Sequence, residues 1–333
     1  MKAISAIIVV VLLLLISISL ISVVYVWSSA LTGTVTSTTE ETTSELTKQL
    51  SGCLKIDAVS KNQIYLRNCG KGVITNNSLS VFIDDVKVGH SVEEIGEDQT
   101  GTVNISGLWQ FSMDRHNLKL TNGAAFVQAL IELEPNKDGL VGYWSFDEGS
   151  GNKVYDKSGN GNDGSLLPSG SGPIWTAGKS GSALQFDGTD DYVDTGGNLN
   201  IANDFTIAVW VYQSSPDHGT LIDTDMQFKV STNGLLIAQW YDGGWQVRTS
   251  SNSINYNSWN YVLLTFDGTR IHFYINGELD TNTYTVSANT RSGSDIIGRD
   301  GVSGSELFTG IIDKFSIYNR ALTPDQTVVM KMV

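Results

Sequence analysis

The chain has 333 residues, more than one hydrophobic core usually serves, so two or three units are expected. Its net charge of −14 argues against a nucleic-acid backbone or a polybasic membrane patch as partner. Five Pro and two Cys accompany many Thr, Ser, Asn, Gly and aromatic residues, the balance of a β-rich exported protein.

The first element is apolar. Residues 4–27, ISAIIVVVLLLLISISLISVVYVW, carry no charge and exceed the roughly 20 apolar residues that span a bilayer. A cleaved secretory signal is the alternative, with Ser28-Ser29-Ala30 as its cleavage site, although its apolar stretch would be shorter. Lys2 and the amino terminus favour an N-terminus inside and the rest of the chain outside. Beyond the apolar run, Leu31, Val35, Leu46 and Leu50 fall at helical multiples, and Glu45 precedes Lys48 by three. One helix over 4–50 would be roughly 70 Å long. Half of it would stand clear of the membrane, and a bundle of identical helices would give it partners. A single-pass anchor followed by a disordered Thr-rich stalk remains the other reading.

This segment, taken as residues 1–50, resembles the N-terminal segment of archaeal pilins and archaellins. The resemblance implies a short leader clipped at Lys2-Ala3, a membrane-held precursor, and self-association of the helices into a filament core. No Glu follows the clip site closely, so the segment does not look like the bacterial pilin type.

Residues 51–135 alternate apolar and polar positions in LKIDAVS, QIYLRN, SLSVFID, TVNIS, HNLKLT and AFVQALIELE. Such runs, divided by Asn, Gly and Asp, predict a small antiparallel β-sandwich. Tight turns are expected at Lys61-Asn62, Asp84-Asp85 and Asn122-Gly123. A hairpin turning at Lys61 would set Cys53 opposite Cys69 at disulfide distance, with two buried free thiols as the alternative. Asn76-Asn77-Ser78 and Asn104-Ile105-Ser106 are glycosylation sequons. IYLRNCGKGVITNNSLSVFIDD resembles the β head of archaeal pilin-like proteins. Pro135 to Gly139 reads as a hinge.

Residues 139–333 form the last unit. Short strands follow one another without a helical pattern of useful length, and TIAVWV and YVLLTF are apolar throughout. Two packed sheets are expected, as a sandwich or jelly roll, so the fold class is mainly β. GLVGYWSFDEGSG, YDKSGNGNDG, SALQFDGTDDYVDTG, DFTIAVWVYQ, WNYVLLTFDG, FYINGEL and FTGIIDKFSIYNRALT occur in order. Together they resemble a laminin-G-like, concanavalin A-like jelly roll of bacterial and archaeal surface proteins. That fold hosts lectins, adhesion modules, accessory domains and some glycosidases.

Within this unit FDEGSGNKVYDKSGNGNDG crowds small polar residues together. Asp156, Ser158 and Asn160, followed by Gly161, reproduce the opening of a calcium loop, but the closing Glu position holds Leu167. The jelly-roll resemblance implies Asp313 as the missing carboxylate, with the carbonyl of Gly159 or Asn162 completing an oxygen shell. Lys314 stands where that family often has an acid. A structural Ca2+ on Asp156, Ser158, Asn160, Asn162 and Asp313 is one reading, and plain Asx turns are the other. GNGNDG satisfies a dinucleotide pattern but opens no helix, and GPIWTAGKS misses phosphate-loop spacing.

Catalytic constellations are missing: the four His are scattered and no GxSxG occurs. Glu278-Leu279-Asp280, the nearest acid pair, reads as a solvated loop. The chain is therefore expected not to be an enzyme. Trp240, Tyr241 and Trp245 flank the turn Asp242-Gly243-Gly244 as a sugar platform or as packing residues. The sequence thus points to a cell-surface filament subunit whose lectin-like domain binds glycan or surface protein with calcium. A membrane-anchored adhesin that does not polymerise is the alternative, and an active glycoside hydrolase ranks last.

Overall fold

The computed structural model describes residues 53–333, apart from 112, 198, 200, 202–203, 225, 287–294 and 302. The expected helix over residues 1–50, with Lys2 and Ala3, lies outside the described residues. Among the described residues no helix is long and apolar enough to cross a membrane.

Alternation builds the first unit. Its strands are β1 (Leu54–Ser60), β2 (Gln63–Asn68), β3 (Ser80–Ile83), β4 (Val86–Lys87), β5 (Gly89–Val92), β6 (Thr100–Ser106), β7 (Arg115–Thr121) and β8 (Phe126–Pro135). Ile64 and Leu66 of β2 point inward while Tyr65 and Arg67 point out, as a period of two requires. β1-β2-β6-β5 form one antiparallel sheet, and β8-β7-β3-β4 belong to the other. The β1–β2 hairpin turns at Lys61 (φ 55°), and Cys53 and Cys69 form a disulfide with a Cα–Cα distance of 4.8 Å.

The second unit is a jelly roll. Its strands are β9 (Leu140–Trp144), β10 (Lys153–Val154), β11 (Gly164–Leu167), β12 (Ile174–Ala177), β13 (Ser182–Asp187), β14 (Tyr192–Asp194), β15 (Phe205–Tyr212) and β16 (Gly219–Asp223). There follow β17 (Gln227–Val230), β18 (Leu235–Tyr241), β19 (Trp245–Ser253), β20 (Trp259–Phe266), β21 (Arg270–Ile275), β22 (Glu278–Thr285), β23 (Ile296–Ile297) and β24 (Thr309–Tyr318). One sheet runs β10-β11-β14-β23-β16-β17-β18-β19, and the other β12-β13-β24-β15-β20-β21-β22, with β9 also on β24. Trp144, Phe186, Val209, Phe228, Leu264 and Phe315 fill the space between them. The helix α1 (Pro324–Thr327) is a single turn.

The end of the chain differs from the expected division. β25 (Val328–Met332) pairs with β8 and becomes the edge of the first unit's second sheet, placing Val328 and Met330 in that core. The stretch read as a hinge is pinned: Asn136 donates from its backbone to the Thr327 carbonyl and from its side chain to that of Gln326. A second seam explains why β15 and β20 are apolar on both faces. Ala208, Trp210, Tyr261 and Leu263 form a buried patch on the outer face of their sheet, and Trp109 of the first unit packs on it. The Trp109 ring lies parallel to Tyr261 at 6.3 Å, and Gly277 (φ 83°) leaves it room, since a Cβ there would fall 2.2 Å from the indole.

Candidate functional site

The Asn- and Gly-rich loop after β10 folds back over β9, and Asp156 organises it. Asp156 Oδ1 accepts hydrogen bonds from the backbone of Tyr143 (3.0 Å) and Ser158 (2.9 Å). Its Oδ2 accepts from the Ser158 hydroxyl (2.8 Å) and the Asn162 backbone (3.0 Å). These four donors match the four lone-pair sites of a carboxylate. Asn160 and Asn162 turn their amide nitrogens to the carbonyl of Val141, each at 2.9 Å, and Trp144 Nε1 donates to the Asn162 carbonyl at 2.8 Å. The structure therefore gathers Asp156, Ser158, Asn160 and Asn162, but around the backbone of β9.

Asp313 does not join them. It is 0% exposed on β24, and its Oδ2 accepts from the backbone of Lys179 (2.9 Å) and Ser180 (3.4 Å) in the turn before β13. Gly178 permits this approach, because a Cβ there would sit 2.6 Å from that oxygen. Burial pushes Asp313 up to about 7; Lys314 and the two backbone donors oppose the rise, and Asp147 adds to it. Lys314, also buried, aims its ammonium at Asp147 (3.5 Å). The departure from the family pattern thus brings a cationic side chain to this carboxylate group. The Asp156 oxygens thus accept four protein donors, and Asp313 accepts from a different turn.

A different group of acids does converge. Asp187, Asp190 and Asp191, in the turn from β13 to β14, offer ligand oxygens within 4.8 Å of one another and could hold a metal ion. Burial pushes Asp191 up to about 6, helped by the charges of Asp187 and Asp190 and opposed by the Asp187 backbone N–H. Sequence reasoning passed over this turn inside SALQFDGTDDYVDTG. The signal was there: three acids in five residues beside a glycine at a strand end.

The β18–β19 hairpin divides its aromatics. Leu236, Ala238 and Trp240 alternate inward, and Trp240 is 2% exposed in the core with the Arg248 guanidinium 5.4 Å from its ring centre. Trp240 is therefore a packing residue and leaves the expected platform. Tyr241 and Trp245 face each other across the strands, edge to face at 5.6 Å, and are 45% and 55% exposed. The turn between them closes with Asp242 N–H donating to the Gly244 carbonyl at 3.0 Å.

Two further side chains depart from expectation. Glu278 and Asp280 stand in strand β22, not in a solvated loop, and Asp280 is buried. Its carboxylate accepts from the backbone of Ser251, Asn252 and Asn282 and is held below the usual carboxylate range by those donors, against the opposing effect of burial. Lys229, hidden in the apolar strand β17, is fully buried and pairs with Glu306 and with Gln239 Oε1 (3.0 Å).

Two antiparallel sheets with a chain that crosses between them make a jelly roll. Residues 187–327 match the family described as concanavalin A-like lectin/glucanases superfamily, of laminin G type. Over these residues the second unit carries a concanavalin A-like, laminin-G-type jelly-roll domain. Similar solved structures include domain 4 of AbnA, a GH43 extracellular arabinanase from Geobacillus stearothermophilus, in complex with arabinotriose. It is 21% identical with a TM-score of 0.48, covering 58% of this chain and 98% of that one. The botulinum neurotoxin type G receptor-binding domain is 17% identical (TM-score 0.43), covering 57% of this chain and 50% of that one. A heptameric SAP-like pentraxin from Limulus polyphemus is 16% identical (TM-score 0.29), covering 38% of this chain and 68% of that one. No curated protein matches the chain.

Proposed function

We propose that the chain is an archaeal cell-surface, pilin-like filament subunit whose jelly roll binds glycan or surface protein, with calcium, and carries no enzymatic activity. The observation that carries the binding reading is the Tyr241–Trp245 pair, two aromatic rings held half-exposed at a hairpin tip of a lectin-type fold. Flat aromatic faces stack on the apolar faces of sugars, and part of each ring is open to solvent here. The Cys53–Cys69 disulfide supports an oxidising, extracytoplasmic setting. The uncharged residues 4–27 support membrane insertion before assembly. The non-enzymatic reading is supported by Asp280, whose carboxylate is committed to backbone donors. A membrane-anchored adhesin that does not polymerise is the second reading, since the same residues 4–27 would anchor a lone chain.

A glycan array probed with the full-length chain, with and without chelator, tests the binding reading. Chelator-sensitive retention on a defined glycan class is expected. No retention on any glycan, or release of sugar from polysaccharide, would remove it. Native material whose N-terminus is Ile4 and which sediments as fibres supports the filament reading over the anchored one.

A further inference from the structure

The turn between β13 and β14 carries more negative charge than its shape requires. Asp187 Oδ1 accepts from the Thr189 backbone at 2.7 Å, and Gly188 takes φ 78°, which together bend the chain. Asp191 ties the turn through the Asp187 backbone and Asp190 takes no part in that bond, yet both carboxylates return toward that of Asp187. Asp191 is only 4% exposed. One of its oxygens, Oδ2, accepts from the Asp187 backbone at 2.8 Å, while the other, Oδ1, is buried with no hydrogen-bond partner. Among the described ion pairs none involves these three acids. Arg299, close by, stacks its guanidinium on the Tyr192 ring at 3.4 Å instead.

A buried carboxylate oxygen without a donor, beside two further carboxylates, is costly unless a cation neutralises the group. The donor set selects the cation. It is all oxygen and all anionic, with no His or Cys among its members, which suits a hard ion over zinc or copper. We propose that the Asp187–Asp191 turn binds one calcium-class divalent cation, through Asp191 Oδ1, Asp190 and the second oxygen of Asp187. Three carboxylates leave part of a shell of roughly 6–8 oxygens to water or to hydroxyls of a bound molecule. The site stands whether or not the jelly roll binds glycan, and it moves the cation away from the Asp156 loop.

The test uses the full-length chain in detergent, stripped with chelator and titrated with Ca2+ by calorimetry. One ion per chain is expected, with a Kd on the order of 10⁻⁴–10⁻³ M, the range of extracellular modules. Asp190→Asn and Asp191→Asn each weaken binding by about tenfold or more, while Asp156→Asn leaves the affinity unchanged. Thermal unfolding adds a crossing that a purely structural role would not produce. In chelator Asp191→Asn unfolds no lower than wild type, and in calcium it unfolds lower. Asp190 is exposed, so Asp190→Asn tests the site even if Asp191→Asn folds poorly. Absence of calcium uptake by wild type, or wild-type affinity in both Asp190→Asn and Asp191→Asn, would overturn the proposal.

Discussion

Two Asp-rich turns of the jelly roll look alike in sequence and behave differently in structure. In the loop from Asp156 to Gly164, four protein donors meet the four lone-pair sites of one carboxylate, and the asparagines tie the loop to β9. In the turn from Asp187 to Asp191, three carboxylates gather and a buried oxygen has no donor. Small polar residues in a cluster therefore do not announce a metal. What separates the two is whether the backbone supplies enough donors to occupy the oxygens.

The largest effect should come from breaking the self-satisfied turn. Asp156→Ala removes the acceptor of four bonds and strands the Tyr143 and Asn162 N–H groups, so it should cost about 3 kcal/mol in chemical denaturation, with calcium present or absent. A cost that appears only with calcium would erase the distinction between the turns. Asp313 sharpens it from another side, being a buried carboxylate with backbone donors on one oxygen and none on Oδ1. Its folded pKa, about 7, lies above the unfolded value of 3.8, so the native state binds the proton more tightly. Its contribution is fully present below about pH 4 and is lost as pH rises to about 7, by up to about 1.4 kcal/mol per pH unit. Asp313→Asn should flatten the stability curve in that window, measured by urea unfolding in chelator. An unchanged slope would show that Asp313 ionises normally.

The sequence carries the strands well, because alternation in QIYLRN and the apolar runs TIAVWV and YVLLTF follow from burial on one face or two. The same periodicity held the answer for Trp240, which lies two residues from Ala238 and four from Leu236 on the core side of β18. Its place beside a Gly-Gly turn was the weaker signal. The fate of β25 was harder to read. Val328 to Met332 alternates like any strand, but its partner β8 lies almost two hundred residues earlier, and no local pattern encodes that pairing. The apolar outer face of β15 and β20 was legible as burial but not as a seam, since Trp109 comes from the other unit. The partners of the Asp156 carboxylate were hard to read for a related reason. Spacing brings Asp156, Ser158 and Asn160 together correctly, yet the donors that occupy the carboxylate include the backbone of Tyr143 in a neighbouring strand.

A third turn completes the comparison and carries the smallest expected effect on stability. Asp242–Gly244 joins β18 to β19 and leaves Tyr241 and Trp245 45% and 55% exposed. Trp245→Ala gives up the edge-to-face contact with Tyr241 at a side chain that is 55% exposed, so it should cost under about 1 kcal/mol. If the pair is a sugar platform, the same substitution should weaken retention on the best array glycan by about tenfold or more, since stacking contributes on the order of 1–2 kcal/mol. Trp245→Tyr keeps a flat ring and should retain most of the binding. Equal binding by wild type and Trp245→Ala would place the glycan elsewhere on the jelly roll. Loss of stability beyond about 2 kcal/mol would instead make Trp245 a packing residue like Trp240, and the hairpin would then hold no exposed function at its tip.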